Sequence, residues 1–188
     1  MKSKFSILAA LLISITLPAC VQVQSEVKRE NKQLAISSVR DAPLTYAKGS
    51  TFSLLPHYAK QSSLNAKQTQ TVYALYNDTI NKNLQENGYQ TAEKNQPVAF
   101  HVGFGIALSS DFSDENINEK FGVLPGLQDK QSLQKGSFLI YIEDTASGAI
   151  IWRGAVQGFA HEQLSVEQRK QRTISIVASV MQQFYQTK

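Results

Sequence analysis

From Val98 to Leu108 the large residues Phe100, Val102, Phe104, Ile106 and Leu108 fall at every second position. Ala99, His101, Gly103, Gly105 and Ala107 stand between them. A period of two puts these sets on opposite faces of a strand, so the large set is expected to meet the helices. The small set is either exposed or closely approached by another backbone. Ser137–Glu143 and Ala149–Phe159 alternate in the same way and flank Asp144-Thr145-Ala146-Ser147-Gly148. This predicts a hairpin in which Asp144 accepts from turn amides and Gly148 takes a positive φ. Gly154 and Gly158 are expected to mark a bend or bulge. Leu34–Val39 and Thr51–Leu55 supply shorter strands, the second stopped by Pro56. Tyr46 and Tyr58 are placed at the rim.

Elsewhere the period lengthens to that of a helix. Between Asn65 and Asn87, residues Val72, Leu75, Tyr76, Ile80 and Leu84 recur three and four apart. Asn65 with Gln68 has the pattern of a capping box, and Gly88 suits a left-handed terminator. A second helix is predicted from Val166 to Tyr185, capped by Ser165 with Gln168. Its stripe is read as Ile174, Val177, Ala178, Met181, Phe184 and Tyr185, with Arg169, Lys170 and Arg172 on a solvated outer face, contact with anionic headgroups being the competing role. Ser109–Lys135, with Gly122, Pro125 and Gly126, has no clear period and reads as a long loop, mobile or functional. The fold class that buries both stripes is α+β: a largely antiparallel β-sheet with two main helices packed on one face.

The N-terminus carries a different pattern. Lys2 and Lys4 precede an apolar run from Phe5 to Leu17, and polar residues resume at Gln22. That run suits a signal peptide and is shorter than the roughly 20 residues a spanning helix needs. Leu17-Pro18-Ala19-Cys20 resembles the lipobox of bacterial lipoproteins, and Cys20 is the single cysteine of the chain. The resemblance implies cleavage between Ala19 and Cys20, acylation of Cys20, and, with Val21 in place of Asp, the outer membrane. The expected organisation is a signal peptide over residues 1–19, a lipidated start and flexible tether over 20–33, and one domain over 34–188. One cysteine excludes an intrachain disulfide, so the core must stabilise the fold.

Charge narrows the partners. Without residues 1–19 the chain keeps 17 Lys and Arg against 15 Asp and Glu, close to neutral. Nucleic-acid binding needs a concentrated basic face and is not expected. The partners expected are the membrane, through the lipid anchor, and an unidentified envelope protein.

Several of these stretches together are similar to the DUF4136 family of bacterial lipoproteins, a domain of unknown function. The matching residues are Phe52–Pro56, Leu84–Tyr89, Val98–Gly105, Lys135–Asp144, Ser147-Gly148 and Ile151–Gly154, with the closing amphipathic stretch Ile174–Phe184. The resemblance implies no catalytic residue.

The search for chemistry is sparse in outcome. His57, His101 and His161 lie on separate elements without metal-ligand spacing, and no metal or cofactor is expected. Gly103-Phe104-Gly105 sits inside a strand and lacks the third glycine of a dinucleotide loop. No GxSxG elbow is present. Glu143 and Asp144 are neighbours on a strand and point apart. His101 and Trp152 are the two weak ligand-contact candidates, with core packing the competing role for Trp152. No catalytic residue is assigned. The leading expectation is a periplasm-facing, outer-membrane-anchored lipoprotein that binds as an accessory component. The alternative is a carrier of a small apolar or lipidic ligand in a cleft between helices and sheet, and a hydrolase ranks third.

Overall fold

A computed structural model of the chain describes residues 33–57, 64–130, 133–160 and 164–186. The segment expected to be a signal peptide, Cys20 and most of the expected tether, with Tyr58 and His161, lie outside the described residues. The strands are β1 (Ala35–Arg40), β2 (Thr51–Pro56), β3 (Gln90–Thr91), β4 (Phe100–Leu108), β5 (Lys135–Asp144) and β6 (Ile150–Phe159). The helices are α1 (Ala66–Glu86), α2 (Asp114–Phe121) and α3 (Val166–Tyr185). The strands form one sheet in the order β1-β6-β5-β4-β2-β3. Neighbours from β1 to β4 pair antiparallel, whereas β2 runs parallel to both β4 and β3. The α+β class, the mostly antiparallel sheet and the two main helices all agree with the sequence pattern.

The main core lies between one sheet face and the two long helices. Phe100, Val102 and Phe104 of β4, Phe138, Ile140 and Ile142 of β5, and Trp152 and Val156 of β6 form its floor. Tyr76, Ile80 and Leu84 of α1 cover it with Val177, Val180, Met181 and Phe184 of α3. Both helices open with the predicted capping box, and Gly88 after α1 has φ +91°. The hairpin closes as expected: the Ser147 amide and hydroxyl donate to Asp144 Oδ2 at 2.8 and 2.7 Å, and Gly148 has φ +66°.

Three readings change. The stretch Ser109–Lys135 is not a structureless loop: it contains α2, capped by Ser113 and ended by Gly122 in the left-handed region. Ile117 and Val123 pack on Leu139 and Ala155, which alternate with the main-core residues and so lie on the opposite sheet face. An eight-residue helix has too few apolar positions to announce itself by period, because only Ile117 is buried along it. Second, the buried stripe of α3 is Thr173, Ile176, Val177, Val180, Met181 and Phe184, while Ile174 is 38% exposed and Ala178 is exposed. The helix carries apolar residues on more than one side, and contact with α1, β1 and β6 selects which side turns inward. Third, the register shift of the hairpin falls at Ile142/Glu143 and not at Gly154 or Gly158. Gly154 serves close packing: a Cβ there would come within 2.6 Å of Trp152 and of Val180.

Candidate functional site

At one end of the sheet the two long helices leave a cleft over the strands. It is built from the end of β4, the start of β5 and the end of β6, below the first turns of α1 and α3. Its cause is local: Gly136 and Gly158 are direct cross-strand partners and present no side chain to the helix face. A Cβ at Gly136 would meet nothing closer than Leu108 Cδ2 at 3.6 Å. The result is a volume of about 520 Å³. Phe138 and Val156 form the apolar floor, and Val72, Tyr76 and Ile176 the walls.

Two guanidiniums enter this space. Arg172 lies across Gly158, where an added Cβ would stand 2.9 Å from its Nη2, and Nη2 donates to the Phe159 carbonyl at 2.6 Å. Arg169, one turn earlier, donates through Nε to the Leu164 carbonyl at 3.0 Å. Burial lowers the pKa of Arg172, with the nearby Tyr76 acting in the other direction. A guanidinium stays charged through such a shift, so the cleft holds a partly dehydrated cation. The Tyr76 phenol is pushed up to about 12 by burial, against the opposing effects of Arg172 and a hydrogen bond with Thr173. It is neutral at physiological pH. An apolar floor and a neutral phenol suit binding of a small apolar molecule.

The sequence-derived candidates lie elsewhere. Trp152 is 1% exposed and packs on Phe184 with ring centroids 5.5 Å apart, a core residue without surface for a ligand. His101 is half-buried on the opposite face, with Nδ1 2.6 Å from Ser53 Oγ. Register puts Ser53, His101 and Glu143 in one row across β2, β4 and β5. Only the Ser53–His101 link in that row is a hydrogen bond among the described residues. His57 Nε2 meets the Tyr141 hydroxyl at 2.7 Å on the same face, so neither His57 nor His101 lines the cleft. Among the described residues no group of three His, Cys, Asp or Glu could hold a metal ion. No helix among them is long and apolar enough to cross a membrane.

Pattern places Arg169 and Arg172 on the solvated side of α3; Arg169 is exposed as expected, whereas Arg172 is half-buried over Gly158, and both reach the rim of the cleft. Their spacing with Ile176, three and then four residues, is that of one helix face. This was the available signal, hidden because the stripe was centred on Ile174. Lys170, off that face, is exposed.

A family model described as a domain of unknown function, DUF4136, matches residues 41–184. No curated protein matches significantly. Among solved structures the chain is similar to a PDZ domain protein from Parabacteroides distasonis, with TM-score 0.51 and 11% identity. That match covers 83% of this chain and 36% of the other, and it is a likeness of fold alone. A DUF4136 family protein from Bacteroides thetaiotaomicron matches with TM-score 0.47 and 15% identity, covering 80% of this chain and 95% of that one. A PelC dodecamer from Paraburkholderia phytofirmans gives 0.46 and 9%, covering 79% and 95%. With a family match that runs from the end of β1 almost to the end of α3, the chain belongs to the DUF4136 family.

Proposed function

We propose that this chain is a lipid-anchored protein of the bacterial outer membrane, facing the periplasm, that works by binding a small apolar or lipidic ligand. The address is supported by the lipobox-like Leu17–Cys20, by a cysteine used nowhere else, and by Val21 after it. The role is supported by one observation above the others: the cleft of about 520 Å³ between helices and sheet. This volume falls within the roughly 300–1,000 Å³ of small-molecule sites. Of the two binding roles the sequence left open, the cleft favours the carrier over the accessory component.

Labelled palmitate tests the address. It is expected in wild-type protein and absent after Cys20→Ser, with a matching loss from the membrane fraction; unchanged fractionation would remove the anchor from the account. Native mass spectrometry of protein released from envelopes tests the role. A bound small molecule of lipid mass is expected, whereas a stable protein complex with an empty cleft would restore the accessory reading.

A further inference from the structure

We propose that the outer edge of β1 is an interface for a second copy of this chain, the two β1 strands pairing antiparallel about a two-fold axis at Ser38. The pairing asks nothing of the cleft or its ligand.

Which backbone groups face outward follows from the bonding inside the sheet. In an antiparallel ladder alternate residues bond to the neighbouring strand, and the others turn away from it. The Asp41 amide donates to the Ile151 carbonyl at 2.8 Å, one step past the Arg40–Trp152 pair. Odd-numbered residues of β1 therefore bond to β6. The far side of β6 agrees: the Ala160 amide donates to the Gln134 carbonyl at 2.6 Å, which gives its even-numbered residues to β5. The N–H and C=O groups of Ile36, Ser38 and Arg40 thus point away from β6 in the plane of the sheet. Among the described residues none of these groups has a partner.

The two edges of the sheet are not alike. β3, at one edge, is two residues long and too short to template a strand. β1, at the other, has six residues, Ala35-Ile36-Ser37-Ser38-Val39-Arg40, and pairs with β6 without a bulge. It carries no proline or lysine to turn a strand away, and its one charge is held over the Phe184 ring. Such an edge fits another extended strand.

Register makes a second β1 the fitting strand. With Ser38 on the axis, Ser38 bonds to its own copy and Ile36 to the partner's Arg40, so every outward group is paired. Ile36, Ser38 and Arg40 share the helix face, because they stand opposite Val156, Gly154 and Trp152. At the axis hydroxyl meets hydroxyl. Each Arg40 meets Ile36, which is 38% exposed in the single chain, and not another cation. The antiparallel order that runs from β4 to β1 continues across the axis, and the isologous contact closes at two copies.

Disulfide trapping in the full-length protein in detergent tests this, with wild type as the control for Cys20. The paired Ser38 Cα atoms would lie about 5.5 Å apart, inside the roughly 4.4–6.8 Å range of disulfides. Those of Ile36 would be four residues out of step, about 13 Å apart. Ser38→Cys is expected to give a covalent dimer on oxidation, and Ile36→Cys none. No trapping at Ser38, or equal trapping at both positions, would overturn the interface. Ile36→Lys sets a like charge opposite Arg40 twice and should weaken association about tenfold in sedimentation, whereas Ile36→Glu should keep it. Ser38→Pro deletes a donor that the fold does not use, so it should melt near wild type and sediment as a monomer. A Ser38→Pro chain that still dimerises would overturn the proposal. So would a monomeric wild type in which residues 21–32 are protected from amide exchange, because the chain's own N-terminal segment would then hold the edge.

Discussion

Tyr141 and Gly103 face each other across β5 and β4, and the phenol ring lies over the glycine. A Cβ at Gly103 would overlap that ring, so the small face of β4 is approached by a side chain here and not by backbone. At Gly105 the backbone does come close, with the His57 carbonyl 3.3 Å from an added Cβ. Period-two spacing revealed which residues share the face, but not what covers them. Asp144 was legible further, because turn chemistry is local. Its carboxyl pKa lies below the ordinary 3.8, through hydrogen bonds from the Ser147 hydroxyl and amide and from the Tyr46 hydroxyl, against an opposing effect of burial. A depressed folded value stabilises the fold fully above the unfolded pKa and loses that contribution as pH falls through the folded one. Asp144→Asn should therefore give a shallower fall of stability below pH 3.8 than wild type, measured by urea midpoints at stepped pH. Parallel curves would remove Asp144 from the acid response.

Among the elements, α2 shows how a short helix is held where its own apolar content is small. Lys135, 4% exposed, donates to Asp114 Oδ2 at 2.7 Å and pairs with Asp129 at 2.9 Å. Burial alone would lower its pKa; the two carboxylates outweigh that and raise it. Gln157, fully buried, donates to Asp114 Oδ1 at 2.5 Å and accepts from the Leu127 amide at 3.0 Å. Asp114 thus joins α2 to β5 and β6. Its removal leaves two buried donors with one partner fewer each, so Asp114→Ala should cost about 1–3 kcal/mol. Amide exchange should quicken across residues 114–121 while the centres of β4 and β5 stay protected. An unchanged midpoint and unchanged exchange would show that Ile117 and Val123 hold the helix alone.

For the whole molecule, Phe184 joins α3 to β1, β4 and β6. It is 4% exposed, touches the rings of Phe100, Trp152 and Tyr89, and carries the Arg40 guanidinium over its face at 5.6 Å. Arg40 also donates to its carbonyl at 2.5 Å, tying β1 to the end of α3. Phe184→Ala should cost about 3–5 kcal/mol through lost burial and the cavity left behind, read as a loss of denaturant midpoint at unchanged slope. A loss under about 1 kcal/mol would mean that the neighbouring rings collapse into the space. The sequence by itself determined every strand but the two-residue β3, the caps, the hairpin and the two long helices, because periodicity, capping and turn preference act over a few residues. Tertiary structure alone decided which side of α3 is buried, that residues 114–121 pack on the second face, and that two arginines line a cleft above paired glycines. Each of these depends on surfaces brought together from distant parts of the chain, as Gly136, Gly158 and Arg172 are, and no local pattern records that meeting.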